Sequence, residues 1–158
     1  TRLVAIHPGS GGSAGNLTLE QYSTIAHTLK NCEEVFFIIT AGPEEYELAS
    51  SLSALMGGIE HIIYHSTKGL GEFTDFISIC DMFISGSTGV LHIAGAMDIP
   101  TAAFYTNRRS ATSLRWQTLN REGNRLSFSP PDSAPAEDMS SIDVESAADI
   151  ICKRLNDA

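Results

Sequence analysis

The sequence predicts an α/β fold, a Rossmann-like parallel sheet with helices on both faces, and three observations carry that prediction. Short β-rich runs alternate with amphipathic stretches along the chain, the pattern of successive strand–helix units. Glycine-rich turns follow the first and fourth of these runs, at His7 to Gly15 and at Ser85 to Gly89. A length of 158 residues suits a single domain, 1–158, with a core of its own.

Taken in order, the expected strands are Leu3 to Ile6, Val35 to Thr40, His61 to Tyr64, Met82 to Ser85, Thr101 to Tyr105 and Leu126 to Phe128. The first helix opens at a capping-box pattern, Thr18-x-x-Gln21, and carries Leu19, Tyr22, Ile25, Ala26 and Leu29 at helical spacing. Pro43 fits the first turn of a second helix that runs to about Met56 and closes at Gly57-Gly58. Phe73, Phe76 and Ile77 mark a short third helix. A fourth follows Thr88, with Ser85-Gly86-Ser87 supplying the break and a hydroxyl cap, and Ala94, Gly95 and Ala96 letting it pack tightly on the sheet. Asp143 is placed to cap the last helix, through Ile150, Ile151 and Leu155, and Ser129 to Ser141 reads as a surface connection.

Composition narrows the function. Ten Lys and Arg against 19 Asp and Glu give a net charge of -9, which argues against a nucleic-acid-binding surface. A small nucleotide remains compatible, because a local pocket can be electropositive on an acidic chain. Cys32, Cys80 and Cys152 are odd in number and widely spaced, which is expected of reduced thiols in a cytoplasmic chain rather than of a disulfide framework or zinc site. No apolar run is long enough to cross a bilayer. Thr1-Arg2 leads almost directly into a strand, so the chain is expected to begin inside a longer protein. No metal site and no cofactor are expected, since no His/Cys/Asp cluster has ligand spacing.

In a doubly wound sheet, ligands bind beyond the carboxyl ends of the strands where strand order reverses, which puts the first and fourth loops side by side. The turn from Ser85 to Gly89 leads a strand into a helix whose first N–H groups lack intrahelical partners and favour an anion. Gly86 and Gly89 are expected to let a phosphate approach the backbone, and Thr88 and His92, one helical turn apart, both offer donors. The plain alternative is an ordinary capped helix with a satisfied histidine. Ser10, Gly11 and Gly12 in the first loop suit a sugar or phosphate lying against the backbone. Gly9-x-Gly11-x-x-Ala14 imitates a dinucleotide fingerprint, but the helix signal starts only at Thr18 and the second strand ends without the acid that would hold a ribose. Gly11 to Gly15 imitates a nucleophile elbow, yet no histidine follows His92, and no Gly-Lys-Ser/Thr is present.

Three elements give the chain a resemblance to family 9 glycosyltransferases, the lipopolysaccharide heptosyltransferases, over their C-terminal, donor-binding half. These are His7-Pro8-Gly9-Ser10 after the first strand, Gly42-Pro43-Glu44-Glu45 after the second, and Ser87-Thr88-Gly89-Val90-Leu91-His92-Ile93-Ala94-Gly95-Ala96 running on to Ile99-Pro100. The last is similar to the family's Asp-Thr-Gly-x-x-His-x-x-x-Ala block. The resemblance implies a GT-B architecture with a nucleotide diphosphate sugar held by this domain, a glycan or lipopolysaccharide-core acceptor held by an N-terminal domain outside this chain, and a location at the inner face of the bacterial inner membrane with peripheral association of the full protein. It assigns the diphosphate to the backbone of Thr88 and Gly89 with His92, and the ribose hydroxyls to Glu45, whose plain alternative is a solvated first-turn acid. Arg108 and Arg109 follow the fifth strand and could approach the phosphates or the acceptor, or be ordinary surface charge. Ser87 stands where the family commonly has Asp, and Ala14 to Thr18 stands where it has a basic residue before Trp-Pro. A non-catalytic nucleotide-binding or scaffolding module and a GT-B-like sugar-nucleotide epimerase are the alternatives to a transferase.

Overall fold

The computed structural model describes residues 1–10, 15–107 and 117–157. The strands are β1 (Arg2–His7), β2 (Val35–Ala41), β3 (His61–His65), β4 (Met82–Gly86), β5 (Thr101–Phe104) and β6 (Arg125–Phe128). The helices are α1 (Leu19–Cys32), α2 (Tyr46–Met56), α3 (Leu70–Ile77), α4 (Gly89–Ala96) and α5 (Val144–Asn156). All six expected strands are present with ends shifted by at most one residue, and so are the five helices, with α2 starting three residues after Pro43.

The strands form one parallel sheet in the order β3-β2-β1-β4-β5-β6. Side chains alternate between its faces, as the period of a strand requires. Val4 and Ile6 of β1, Phe37 and Ile39 of β2 and Met82 and Ile84 of β4 face one cluster, which α1, α2 and α5 close with Tyr22, Leu29, Leu52, Ile151 and Leu155. Ala5, Ile38, Phe83 and Ala103 face the other, closed by Phe73 and Ile77 of α3 and Leu91 and Ala94 of α4. From β1 the chain winds outward through α1 and α2 on one face, then crosses to β4 and winds the other way through α4 on the opposite face. The order reverses between β1 and β4, whose registers pair Ile6 with Ile84 and His7 with Ser85.

Local signals hold where the cap chemistry is local. Thr18 caps α1 by accepting from the Gln21 N–H at 3.1 Å, while the Gln21 side chain accepts from the Thr18 N–H at 2.9 Å. Asp143 caps α5 through Ser146. Pro43, expected inside α2, lies instead in a turn closed by the Glu45 N–H donating to the Gly42 carbonyl at 3.1 Å, with proline at its second position. Thr88, rather than the Ser85-Gly86-Ser87 run, caps α4. At Gly95 a Cβ would lie 2.6 Å from Thr118 Cβ, so its bare backbone accommodates the chain leading into β6. Ile150 is exposed, because the buried stripe of α5 runs through Ala147, Ala148, Ile151, Cys152 and Leu155. The 129–141 connection is pinned, with Met139 buried and its carbonyl accepting from Gln21 Nε2 at 2.9 Å.

One expectation is overturned. Cys32 and Cys152 form a disulfide rather than lying as reduced thiols, because α1 and α5 pack side by side and bring their Cα atoms to 6.4 Å across 120 residues of sequence. The expectation of a reducing, cytoplasmic setting drawn from those thiols loses its basis with it. Cys80 stays a free, buried thiol whose pKa burial pushes up to about 12, with the neighbouring Asp81 charge adding to the effect.

Candidate functional site

The site is a crevice at the carboxyl ends of β1, β2 and β4. On the β4 side the chain leaves the sheet at Gly86 and enters α4 at Gly89. The Thr88 side chain accepts from the Leu91 N–H at 3.3 Å, and the Thr88 and Ser85 hydroxyls lie 3.2 Å apart. Ser85 donates its proton to the Gly86 carbonyl at 2.6 Å, so the Thr88 proton is turned to Ser85 Oγ. Thr88 thus spends its hydroxyl inside the turn, and its backbone N–H is what it has for a ligand. With the Leu91 N–H capped, those of Gly89 and Val90 lack an intrahelical acceptor at the positive end of the helix. Gly89 is exposed, and a Cβ there would meet nothing within 4 Å, so this approach to the backbone is open. Ser87 and His92 are half-buried beside it.

Gly86 does a different job from the one its sequence context suggests. A Cβ there would lie 2.7 Å from Asn16 Oδ1, so the space belongs to Asn16 rather than to a ligand. Asn16 donates to the Pro8 carbonyl at 2.8 Å and accepts from the Leu17 N–H at 2.8 Å and the Tyr22 hydroxyl at 2.7 Å. Burial pushes the Tyr22 phenol well above the ordinary tyrosine range and keeps it a donor. Asn16 so bolts the loop after β1 to the end of β4 and to α1. In the sequence it stands out only as the first residue of a glycosylation-type tripeptide, which carries no hint of this role.

On the β1–β2 side the Glu45 carboxylate is half-buried and turned away from the helix end it precedes. It makes no side-chain cap bond to α2. Oε1 accepts from the Gly42 N–H at 2.8 Å and faces His7 Nε2 at 3.4 Å. Oε2 lies against Gly9, where a Cβ would come within 1.9 Å of it. Only glycine at position 9 leaves that space.

Nothing in its residue type marks His7 as part of a site. It is the last residue of β1, 4 % exposed, with Nδ1 2.9 Å from the fully buried Thr40 hydroxyl and its ring stacked on Phe83. Burial lowers its pKa, and the Glu45 charge opposes that shift. The structure therefore brings Glu45, Gly9 and His7 together on one side of the switch point and Ser87, Thr88, Gly89 and His92 on the other, with half-buried Ser10 in the loop between. Gly11, Gly12, Arg108 and Arg109 lie outside the described residues. Among the described residues, no group of three His, Cys, Asp or Glu side chains could hold a metal ion, and no helix is long and apolar enough to cross a membrane.

A crevice of this kind, at the switch point of a parallel sheet, defines a class of protein rather than one activity. Comparison with known proteins defines it further. The family model of glycosyltransferase family 9 (heptosyltransferase) matches residues 2–135. A Haemophilus influenzae protein named "Putative glycosyltransferase" is 41% identical over 128 residues, covering 81% of this chain and 37% of that protein. Escherichia coli ADP-heptose lipopolysaccharide heptosyltransferase II superposes with a TM-score of 0.79 at 14% identity, over 99% of this chain and 47% of that one. The Escherichia coli heptosyltransferase WaaC, solved with ADP, superposes with a TM-score of 0.73 at 14% identity, over 97% of this chain and 44% of that one. The chain belongs to glycosyltransferase family 9, and it spans less than half the length of these relatives.

Proposed function

We propose that this chain is the donor-binding domain of an inverting glycosyltransferase that holds a nucleotide diphosphate sugar, ADP-heptose or a close analogue, without a metal ion. One observation carries the proposal: at the switch point, open first-turn N–H groups of α4 stand on one side and a held carboxylate, Glu45, on the other. A diphosphate fits the first, and paired ribose hydroxyls fit an acceptor-only carboxylate. The ADP in the WaaC structure supports the same ligand class.

The chemistry that these residues supply is stabilisation of a leaving group. Charge grows on the diphosphate as the glycosidic bond breaks, and preorganised N–H donors at a helix end act most strongly on charge that develops in the transition state. The backbone N–H groups of Thr88, Gly89 and Val90 take the phosphates, His92 adds a side-chain donor, and Glu45 orients the nucleoside. Ser10 lines the sugar or phosphate and Ser87 borders the donor sugar, and a donor-binding role is proposed for Gly11, Gly12 and Arg108 on the family resemblance alone. The acceptor, a lipopolysaccharide-core or other surface glycan, and the catalytic base belong to a second domain facing this crevice. The full protein works at the cytoplasmic face of the inner membrane.

Calorimetric titration of the chain with ADP, UDP and GDP in EDTA tests this, and at least one should bind. A requirement for magnesium with every nucleotide would overturn the metal-free assignment. The chain alone should transfer no sugar, and transfer by it would overturn the division between two domains. A non-catalytic nucleotide-binding module is the second reading, favoured by Ser87 in place of the family's usual Asp. It predicts nucleotide binding with no turnover even in the full-length protein.

A further inference from the structure

We propose that His7 is a positioning residue for nucleotide recognition: held by Thr40 in its Nε2–H form, it sets the Glu45 carboxylate for the ribose without touching the ligand. The inference rests on the reading of Glu45 as the ribose acceptor. Its grounds are geometric. An ionised carboxylate only accepts, so the nitrogen that faces Glu45 Oε1 at 3.4 Å must carry the proton if the contact is to attract. Nδ1 is then an acceptor, and the Thr40 hydroxyl donates to it at 2.9 Å. Thr40 is fully buried and His7 nearly so, and the ring also stacks on Phe83, so the imidazole has little room to turn. Burial favours the neutral ring that this arrangement needs, and the opposing pull of Glu45 on its pKa is the weaker influence.

Glu45 needs such support. Its backbone begins a helix, but its side chain folds back over the preceding turn, where Gly42 N–H is its hydrogen-bond donor and Gly9 leaves it room. His7 contacts the same oxygen, Oε1, as Gly42 does. Oε2 keeps its lone pairs, and it is this oxygen that a ribose diol can use once the carboxylate is held in plane.

The test is a double-mutant cycle read by titration with ADP and, separately, inorganic pyrophosphate, on the whole chain. His7→Phe keeps the ring's bulk and stacking but removes both nitrogens, and ADP affinity should fall about three- to tenfold. His7→Gln places an amide donor near the old Nε2 position and should stay within about twofold of the unaltered chain. Pyrophosphate, which has no ribose, should bind all three alike. In the Glu45→Gln background, His7→Phe should cost ADP affinity nothing further, since His7 acts only through that carboxylate. Additive losses, a loss shared by pyrophosphate, or no loss of ADP affinity in His7→Phe would overturn the positioning role while leaving the ribose assignment standing. Unchanged ADP affinity in Glu45→Gln would overturn the ribose assignment and this inference with it, as would failure of the unaltered chain to bind any of ADP, UDP and GDP. Should His7→Phe not fold, nitrogen NMR of the imidazole in the unaltered chain decides: a neutral ring protonated at Nε2 supports the proposal, and protonation at Nδ1 overturns it.

Discussion

Beyond β4 the candidate phosphate site is assembled within one contiguous stretch, Ser85 to His92, whereas beyond β1 and β2 the Glu45 carboxylate is held by groups from two segments far apart in sequence, His7 to Gly9 and Thr40 to Gly42. The first side uses backbone. Its donors are the N–H groups that any helix leaves unpaired, and its side chains mostly shape the turn: Thr88 caps, Ser85 takes up the Thr88 proton, and Gly89 keeps the approach clear. The second side uses one charged side chain whose place depends on Gly42, Gly9, His7 and, behind His7, Thr40. A backbone site tolerates changes that leave the turn intact. A side-chain site fails when any of its distant supports is removed.

Glycine substitutions should expose that difference most strongly. Gly9→Ala places a methyl where the Glu45 carboxylate lies, so ADP affinity should fall tenfold or more and stability by about 1–3 kcal/mol as the carboxylate loses its partners. Calorimetry and thermal melts of the same sample read both. Gly89→Val projects into open space, so it should leave the melting temperature nearly unchanged while weakening ADP and pyrophosphate together. Equal loss of stability in the two variants would erase the contrast. His92→Ala ranks next. Loss of one donor to a charged group should weaken both ligands about tenfold with little change in stability, and an unfolded domain with unaltered residual affinity would make His92 a core residue.

Smaller effects separate structure from binding. Thr88→Val removes the cap on Leu91 and should cost about 1 kcal/mol in denaturant unfolding, with ligand affinity nearly retained because the backbone supplies the contacts. The smallest concerns pH. His7 has a folded pKa below its ordinary value of 6.5, so below that pH the unfolded chain binds the extra proton first. Stability should therefore fall as pH drops from 6.5 toward the folded pKa, and His7→Gln should flatten that part of the profile. A steeper acid-side loss in the variant would mean that the Glu45 charge outweighs burial at this histidine.

Much of the fold was legible in the sequence because its signals act over a few residues. The capping box of Thr18 and Gln21, the Asp143 cap and the strand-like runs each lie within one element, and the alternation of elements implies the parallel sheet. The β4–α4 turn was legible for the same reason. His7 was visible only as part of a family-like turn, since nothing in the residues around it points to Glu45. From the sequence Gly86 reads as room for a ligand, because the residue that fills its space, Asn16, lies on another loop.

By itself the sequence determined the elements, their order and the helix end suited to an anion, because hydrophobic periodicity and cap chemistry depend on near neighbours along the chain. The tertiary structure alone decided which distant groups share a site. It joined Cys32 to Cys152, set Asn16 against Gly86 and turned Glu45 from α2 toward His7 and Gly9. Those pairings follow from how the helices pack on the two faces of the sheet and how β1 sits between β2 and β4, and no local rule of composition or spacing contains them.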